Sequence, residues 1–347
     1  MVVWYATRED VKDALDVKET ARSNVRVDRA LEGASRSVEA LCHREFAPVI
    51  ATRFFDWPSE QGARPWRLWL DGSELISVTS LSSGGVTISP SDFFLEPNRT
   101  GPPYRRIDLD SNATFGGGNT YQRNITVTGM WGYSDEESTA GTVVEALDAS
   151  ETSVDVDGAA SALLGVGSVL RMDAERMVVT GRAQLDTGQD LGGALTVSAA
   201  NTTVPVADGT AFAVDEVILI DAERMRIEDI AANNLIVKRA WDGSTLAAHT
   251  SGTGIYAPRT LAVTRGALGT TAAAHTSGTA IHRWDPPGPV RDLTIAEALT
   301  TLLQGQSGYA RVVGSGEAQR EAAGKGLADL RCSVYASHGR KARTRAV

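Results

Sequence analysis

Two short segments each occur twice in this chain, and the order in which they recur constrains the fold more than any other feature. Residues 169–179 read Val-Leu-Arg-Met-Asp-Ala-Glu-Arg-Met-Val-Val, and residues 217–227 read Val-Ile-Leu-Ile-Asp-Ala-Glu-Arg-Met-Arg-Ile. Residues 235–256 and 261–282 form a second pair, each 22 residues long and identical at 13 positions, including Ala-Ala-His-Thr-Ser-Gly-Thr. The order is first half, first half, second half, second half. A tandem duplication would alternate, so the order implies nesting: a second module (about 196–256) inserted into a loop of the first (about 145–195 plus 257–283). Alternating Val, Ile and Leu, punctuated by Gly, Asp-Gly and Asn-Asn turns, predicts β-structure in both modules.

Composition separates this insert from its surroundings. The 347 residues suffice for two or three domains of roughly 100–200 residues. At 42% hydrophobic and 22% charged, the chain can build packed cores. Residues 140–283 hold 17 acidic and 10 basic side chains, a net of −7 out of −9 for the chain. That balance argues against a basic protein that coats DNA. Only Cys42 and Cys332 are present, which excludes a disulfide framework and points to a reducing compartment. No apolar stretch approaches the ~20 residues of a membrane span, and the first residues lack the pattern of a signal peptide.

Outside the insert the pattern is mixed. Thr7 with an acid at Asp10 predicts a helix N-cap. Val27, Ala30, Leu31, Ala34, Val38 and Leu41 recur at helical spacing over 25–42. Strands are expected at 52–57, 67–70, 75–81, 86–89, 106–109 and 125–131, with Gly84-Gly85 as a hairpin turn and 116–118 as a flexible glycine loop. After Pro286-Pro287-Gly288-Pro289, a third helix capped by Asp292 is expected to present Ile295, Ala296, Leu299, Leu302 and Leu303, running to about 309. The tail from Arg331 is basic and short of apolar residues, which predicts disorder unless a partner holds it. The fold class expected is therefore α+β. It comprises a helical core with a small antiparallel β part (1–139 and 284–330), an inserted all-β domain (140–283) and a basic tail (331–347).

The search for chemistry is mostly negative. Gly324-Lys325-Gly326 lacks the upstream glycine and the Ser/Thr of a phosphate loop, and no zinc-hydrolase, C-x-x-C or nucleophile-elbow motif occurs. Asp173/Glu175 and Asp221/Glu223 could be paired carboxylates or calcium ligands, but a solvated strand face with Arg176 or Arg224 nearby is the simpler expectation. His249 and His275 are expected to brace turns through backbone bonds, because one histidine per module cannot build a zinc site. His43 beside Cys42 reads as a cation at a helix end. No catalytic residue, metal or cofactor is expected.

Several segments together resemble the head-to-tail connector (adaptor) proteins of long-tailed bacteriophages, of the actinobacterial-phage type. They are Tyr5-Ala6-Thr7-Arg8-Glu9-Asp10-Val11, Ala34-Ser35-Arg36-Ser37-Val38-Glu39, Phe46-Ala47-Pro48 and Thr52-Arg53-Phe54-Phe55-Asp56. Leu68-Trp69-Leu70-Asp71, Leu75-Ile76-Ser77-Val78 and Val127-Thr128-Gly129-Met130-Trp131-Gly132-Tyr133 follow. Their order spans about 200 residues and leaves the insert uncovered; the duplicated modules look like add-ons of phage structural proteins. The resemblance implies a non-enzymatic virion protein of the neck, assembled in the host cytoplasm as a homo-oligomeric, dodecameric ring. That ring would lie below the portal protein, above a tail-side stopper or terminator, and around the channel that passes double-stranded DNA. It implies that Val27, Leu31, Ala34, Val38, Leu41, Ile295, Leu299 and Leu302 pack the ring core. It further implies that Leu330, Arg331, Val334, Tyr335, Arg340, Lys341, Arg343 and Arg345 engage the portal. The insert could meet the major capsid protein or neighbouring subunits. Two other readings stay open: a carbohydrate- or surface-binding virion protein working through its modules, and a hydrolase using the repeated carboxylates.

Overall fold

A computed structural model describes residues 2–15, 24–58, 65–99, 101–306, 312–313, 320–321 and 325–340. Contacts divide the chain into two compact units: Met1–Val38 with Glu137–Cys332, and Glu39–Glu136 with Ser333–Val347.

The first unit begins with helix α1 (Arg8–Leu15). Its start is a reciprocal cap: Thr7 Oγ1 accepts from the Asp10 amide at 3.0 Å, and Asp10 Oδ2 accepts from the Thr7 amide at 2.8 Å. Helix α2 (Asn24–Cys42) carries its apolar stripe as the spacing predicts. Val27, Ala30, Leu31 and Ala34 form one buried cluster with Ala6, Val11, Ala298 and Leu302, against which Trp4, Ile295 and Leu299 pack. Val38 is buried too, and Leu41 is half-buried.

In the second unit, β1 (Val49–Phe55), β3 (Leu75–Ser83), β4 (Val86–Ile88) and β7 (Ile125–Trp131) form an antiparallel sheet in the order β1-β7-β3-β4. A three-stranded sheet joins β2 (Arg67–Trp69), β6 (Arg106–Leu109) and β5 (Phe93–Glu96). The alternation of β7 buries Ile125, Val127 and Trp131, which share one core with Leu68, Leu70, Leu81 and Ile107. Gly129 is required where β7 crosses a bulge in β3, because a Cβ there would strike the Ser77 carbonyl. The 116–118 glycines are pinned rather than loose: Ser83 Oγ bonds Gly116 and Asn124 Nδ2 donates to the Gly117 carbonyl.

The insert forms a ten-stranded antiparallel sheet. Strands β8 (Glu137–Thr142), β9 (Ser153–Asp155), β10 (Val169–Met172), β11 (Glu175–Asp190), β16 (Gly254–Thr264) and β17 (Ala280–Trp284) belong to the first module. Helix α3 (Gly158–Leu163), capped by Asp157, also belongs to it. Strands β12 (Thr203–Pro205), β13 (Val217–Ile220), β14 (Glu223–Ala231) and β15 (Asn234–Lys238) belong to the second. The apolar cores are separate. One gathers residues from 140–179 and 261–281, the other from 191–255. The chain leaves and returns side by side, since Glu137 on β8 pairs with Trp284 on β17.

The branch point is visible in the register. In the second module Ile230 pairs with Leu235 and Ala231 with Asn234, leaving a two-residue turn at Ala232-Asn233. In the first module Arg182 pairs with Leu261 and Ala183 with Thr260, at the repeat-equivalent positions. Residues 184–259 thus occupy the place of that turn.

The expectation of a helical core is overturned. Among the described residues strands make up 36% and helices 25%, with five helices against sheets of four, three and ten strands. The strands expected at 67–70, 86–89 and 106–109 are present, and Phe93–Glu96 and Glu137–Thr142, which carry no apolar alternation, add to them. Helix α4 (Gly288–Gln306) starts four residues before Asp292: the Pro287 carbonyl accepts from the Val290 and Arg291 amides, so Asp292 lies inside the helix. The tail expectation also changes, because α5 (Lys325–His338) is helical and buries Val334 completely.

Candidate functional site: twin buried ion clusters

Each module closes around one carboxylate. In the first, Asp173 makes the β10–β11 turn at φ +50°, so the strand begins at Glu175 and turns that side chain inward. Glu175 Oε1 accepts from Arg265 Nε at 2.8 Å and from the Gly266 amide at 2.9 Å. Oε2 accepts from Arg265 Nη2 at 2.8 Å and the Ala273 amide at 2.9 Å, and lies 3.0 Å from His275 Nε2. His275 Nδ1 in turn meets Asp173 Oδ2 at 2.9 Å. The Arg265 guanidinium also donates to the carbonyls of Asp148, Glu151 and Ala273.

The second module repeats this atom by atom. Glu223 receives Arg239 Nε and Nη2, both at 2.7 Å, and the amides of Ala240 and Ala247, both at 2.9 Å. His249 bridges Glu223 at 3.0 Å and Asp221 at 2.7 Å. The Glu175 and Glu223 side chains are both fully buried.

Burial alone would raise these two carboxyls. The hydrogen bonds from Arg265, Ala273, Gly266 and His275 outweigh it for Glu175, and those from Arg239, Ala247, His249 and Ala240 do so for Glu223. Each is held at about 2, against an ordinary 4.5. The expected solvated strand face is therefore wrong for both glutamates, although Asp173 and Asp221 are exposed. Arg265 and Arg239 pair with the glutamates, while Arg176 lies 3.6 Å from Glu137 and Arg224 donates to Asp242 at 2.8 Å. The histidine rings bond carboxylates rather than backbone.

Chemically, such a cluster is a clasp. Each glutamate oxygen already accepts two or three bonds, which fills its lone pairs and leaves none for a proton transfer or a cation. Among the described residues, no group of three or more His, Cys, Asp or Glu is placed to hold a metal ion. Sequence reasoning missed Arg239 and Arg265, yet both stand at identical positions of the 22-residue repeat, which was the available signal. A third buried pair, Arg259 with Glu216 at 2.8 and 2.9 Å, ties β16 to the second module and packs on Phe212.

Four of the eight residues assigned to portal contact lie on α5. Leu330 is half-buried, Arg331 and Tyr335 are exposed, and Val334 is buried. Arg331 Nε lies 3.3 Å from Glu297 on α4. In the second unit the Arg340 amide donates to the Cys42 carbonyl at 2.8 Å, and its guanidinium lies 3.9 Å from buried Glu74, which Arg44 approaches to 3.4 Å. Lys341, Arg343 and Arg345 lie outside the described residues. His43 ends α2 at φ +52° and is exposed. Burial pushes the Cys42 thiol up, opposed by Arg44.

Comparison with protein-family models, with curated proteins and with solved structures finds no match.

Proposed function

We propose that this chain is a structural head-to-tail adaptor of a long-tailed bacteriophage virion. Copies form a ring beneath the portal and around the DNA channel, with a tail-side component below. The observation that carries this reading is where the adaptor-like segments fall. Tyr5, Ala6, Ala34, Phe46, Leu68, Leu70, Leu75, Val127 and Trp131, one or more from nearly every such segment, are buried. The resemblance therefore lies in the framework of the protein, as suits a part whose surfaces do the work. The saturated ion clusters favour the same reading, since their charged groups are spent on closing the modules. A net charge of −9 suits a conduit that must not grip phosphates.

The test is imaging of the purified full chain, alone and mixed with the portal ring of the same virus. The reading expects a ring of adaptors, twelve in number, seated under the portal. Subunits that stay single in the presence of portal would overturn it.

A further inference from the structure

The second unit contains a cleft of about 550 Å³ whose walls are Trp57, Trp66, Leu109 and Phe115, with Asp110 and Thr114 among its polar groups. Its size falls within the range of small-molecule sites. Two features make it a built surface. The Trp57 amide donates to the Tyr121 carbonyl at 2.8 Å, and the two rings stack with centroids 5.2 Å apart at 22°. Trp66 is held through its carbonyl, which accepts from the Leu109 amide at 2.9 Å, while the residue remains 44% exposed.

The polar side is equally fixed. Asp110 Oδ1 accepts from the Asn112 amide at 2.7 Å, and Oδ2 accepts from Asn112 Nδ2 at 2.9 Å. Both bonds come from the same neighbour, so the carboxylate plane is set and each oxygen retains capacity for a further donor. Among the described residues that line the cleft none is basic, and Asp110 is the acid. That charge disfavours phosphate, sulfate or carboxylate ligands. A flat, electron-rich indole beside a fixed acceptor suits a ligand with one C–H face and an edge of hydroxyl donors.

We propose that this cleft binds a neutral saccharide, one ring lying on Trp66 with its hydroxyls donating to Asp110. The inference is independent of the adaptor reading, because assembly on the portal and sugar binding are separate measurements.

The experiment is calorimetric titration of the full chain with neutral di- and trisaccharides built from glucose, galactose or N-acetylglucosamine, and with a proline-rich peptide as competitor class. Trp66→Ala and Asp110→Asn are the test variants, and Trp241→Ala, in the other unit, is the control; circular dichroism verifies that each is folded. The expected result is a neutral saccharide with Kd below about 1 mM, weakened at least about tenfold by Trp66→Ala and measurably by Asp110→Asn, and unchanged by Trp241→Ala. The proposal is overturned if no saccharide binds at about 10 mM, if only the peptide binds, or if affinity survives Trp66→Ala.

Discussion

The two nested modules keep one set of positions and change another. Both retain the glutamate, arginine and histidine of the cluster, and both retain a bulge at the same place, between Val179 and Gly181 in one and between Ile227 and Asp229 in the other. They part company at the outer edge. Val178 and Ala267 are buried in the first module, whereas the equivalent residues of the second are Arg226 and Trp241. Arg226 and Lys238 stack over the Trp241 ring at 5.1 and 4.9 Å. Arg226 also reaches Asp13 at 2.8 Å, and Asp242 reaches Lys12 at 3.1 Å, so this changed edge grips α1. Identity within the duplication marks what closes a module; divergence marks what it touches.

The sharpest way to break the comparison is to remove a glutamate. Glu175→Ala or Glu223→Ala strands a buried guanidinium and two backbone amides, and each should cost about 3–5 kcal/mol. The measurement is chemical denaturation with hydrogen exchange. Glu223→Ala should expose the amides of 191–255 while 140–179 stay protected, and Glu175→Ala should do the reverse. Loss of protection in both modules from either change would mean that the clusters are not independent.

Acid should act on both clusters alike. A carboxyl held at about 2 when folded and about 4.5 when unfolded contributes stability that is fully present above 4.5. That stability is lost as pH falls from 4.5 towards 2. Unfolding curves collected across that window should show a falling midpoint, with a shallower fall in Glu223→Gln. A variant as acid-sensitive as the parent would contradict the assignment of Glu223.

A smaller effect is expected at the changed edge. Converting the second module to the residues of the first, with Arg226→Val and Trp241→Ala, removes partly exposed ion pairs and stacking. It should cost about 1 kcal/mol or less. Exchange protection should fall in α1 and remain intact around Glu223. Unchanged protection in α1 would show that this edge does not hold the helix.

Much of this architecture was legible in the residues. The repeat order pointed to an inner module at about 196–256, where the strand register puts the branch at 184–259; Thr7 and Asp10 marked the start of α1, and the stripe from Val27 to Val38 the buried face of α2. The strands at 67–70, 86–89 and 106–109 were legible as alternation, whereas Phe93–Glu96 and Glu137–Thr142 carry no apolar alternation and were not. The clusters were hidden for a different reason. Asp-Ala-Glu reads as an extended strand, but the aspartate adopts a positive φ, so Asp and Glu do not share a face. The partner of Glu175 also lies 90 residues away, against 16 for Glu223. In α5, Leu327, Leu330 and Val334 carry helical spacing, which the basic composition of the tail masked.

Excising the inner module tests the nested account most directly. Replacing residues 184–259 with Ala-Asn restores to the first module the turn that the second possesses. Hydrogen exchange of that shortened chain should show 140–179 and 261–281 protected as in the parent, with the Arg265–Glu175 cluster closed. Rapid exchange throughout those segments would contradict the claim that each module is completed by its own cluster.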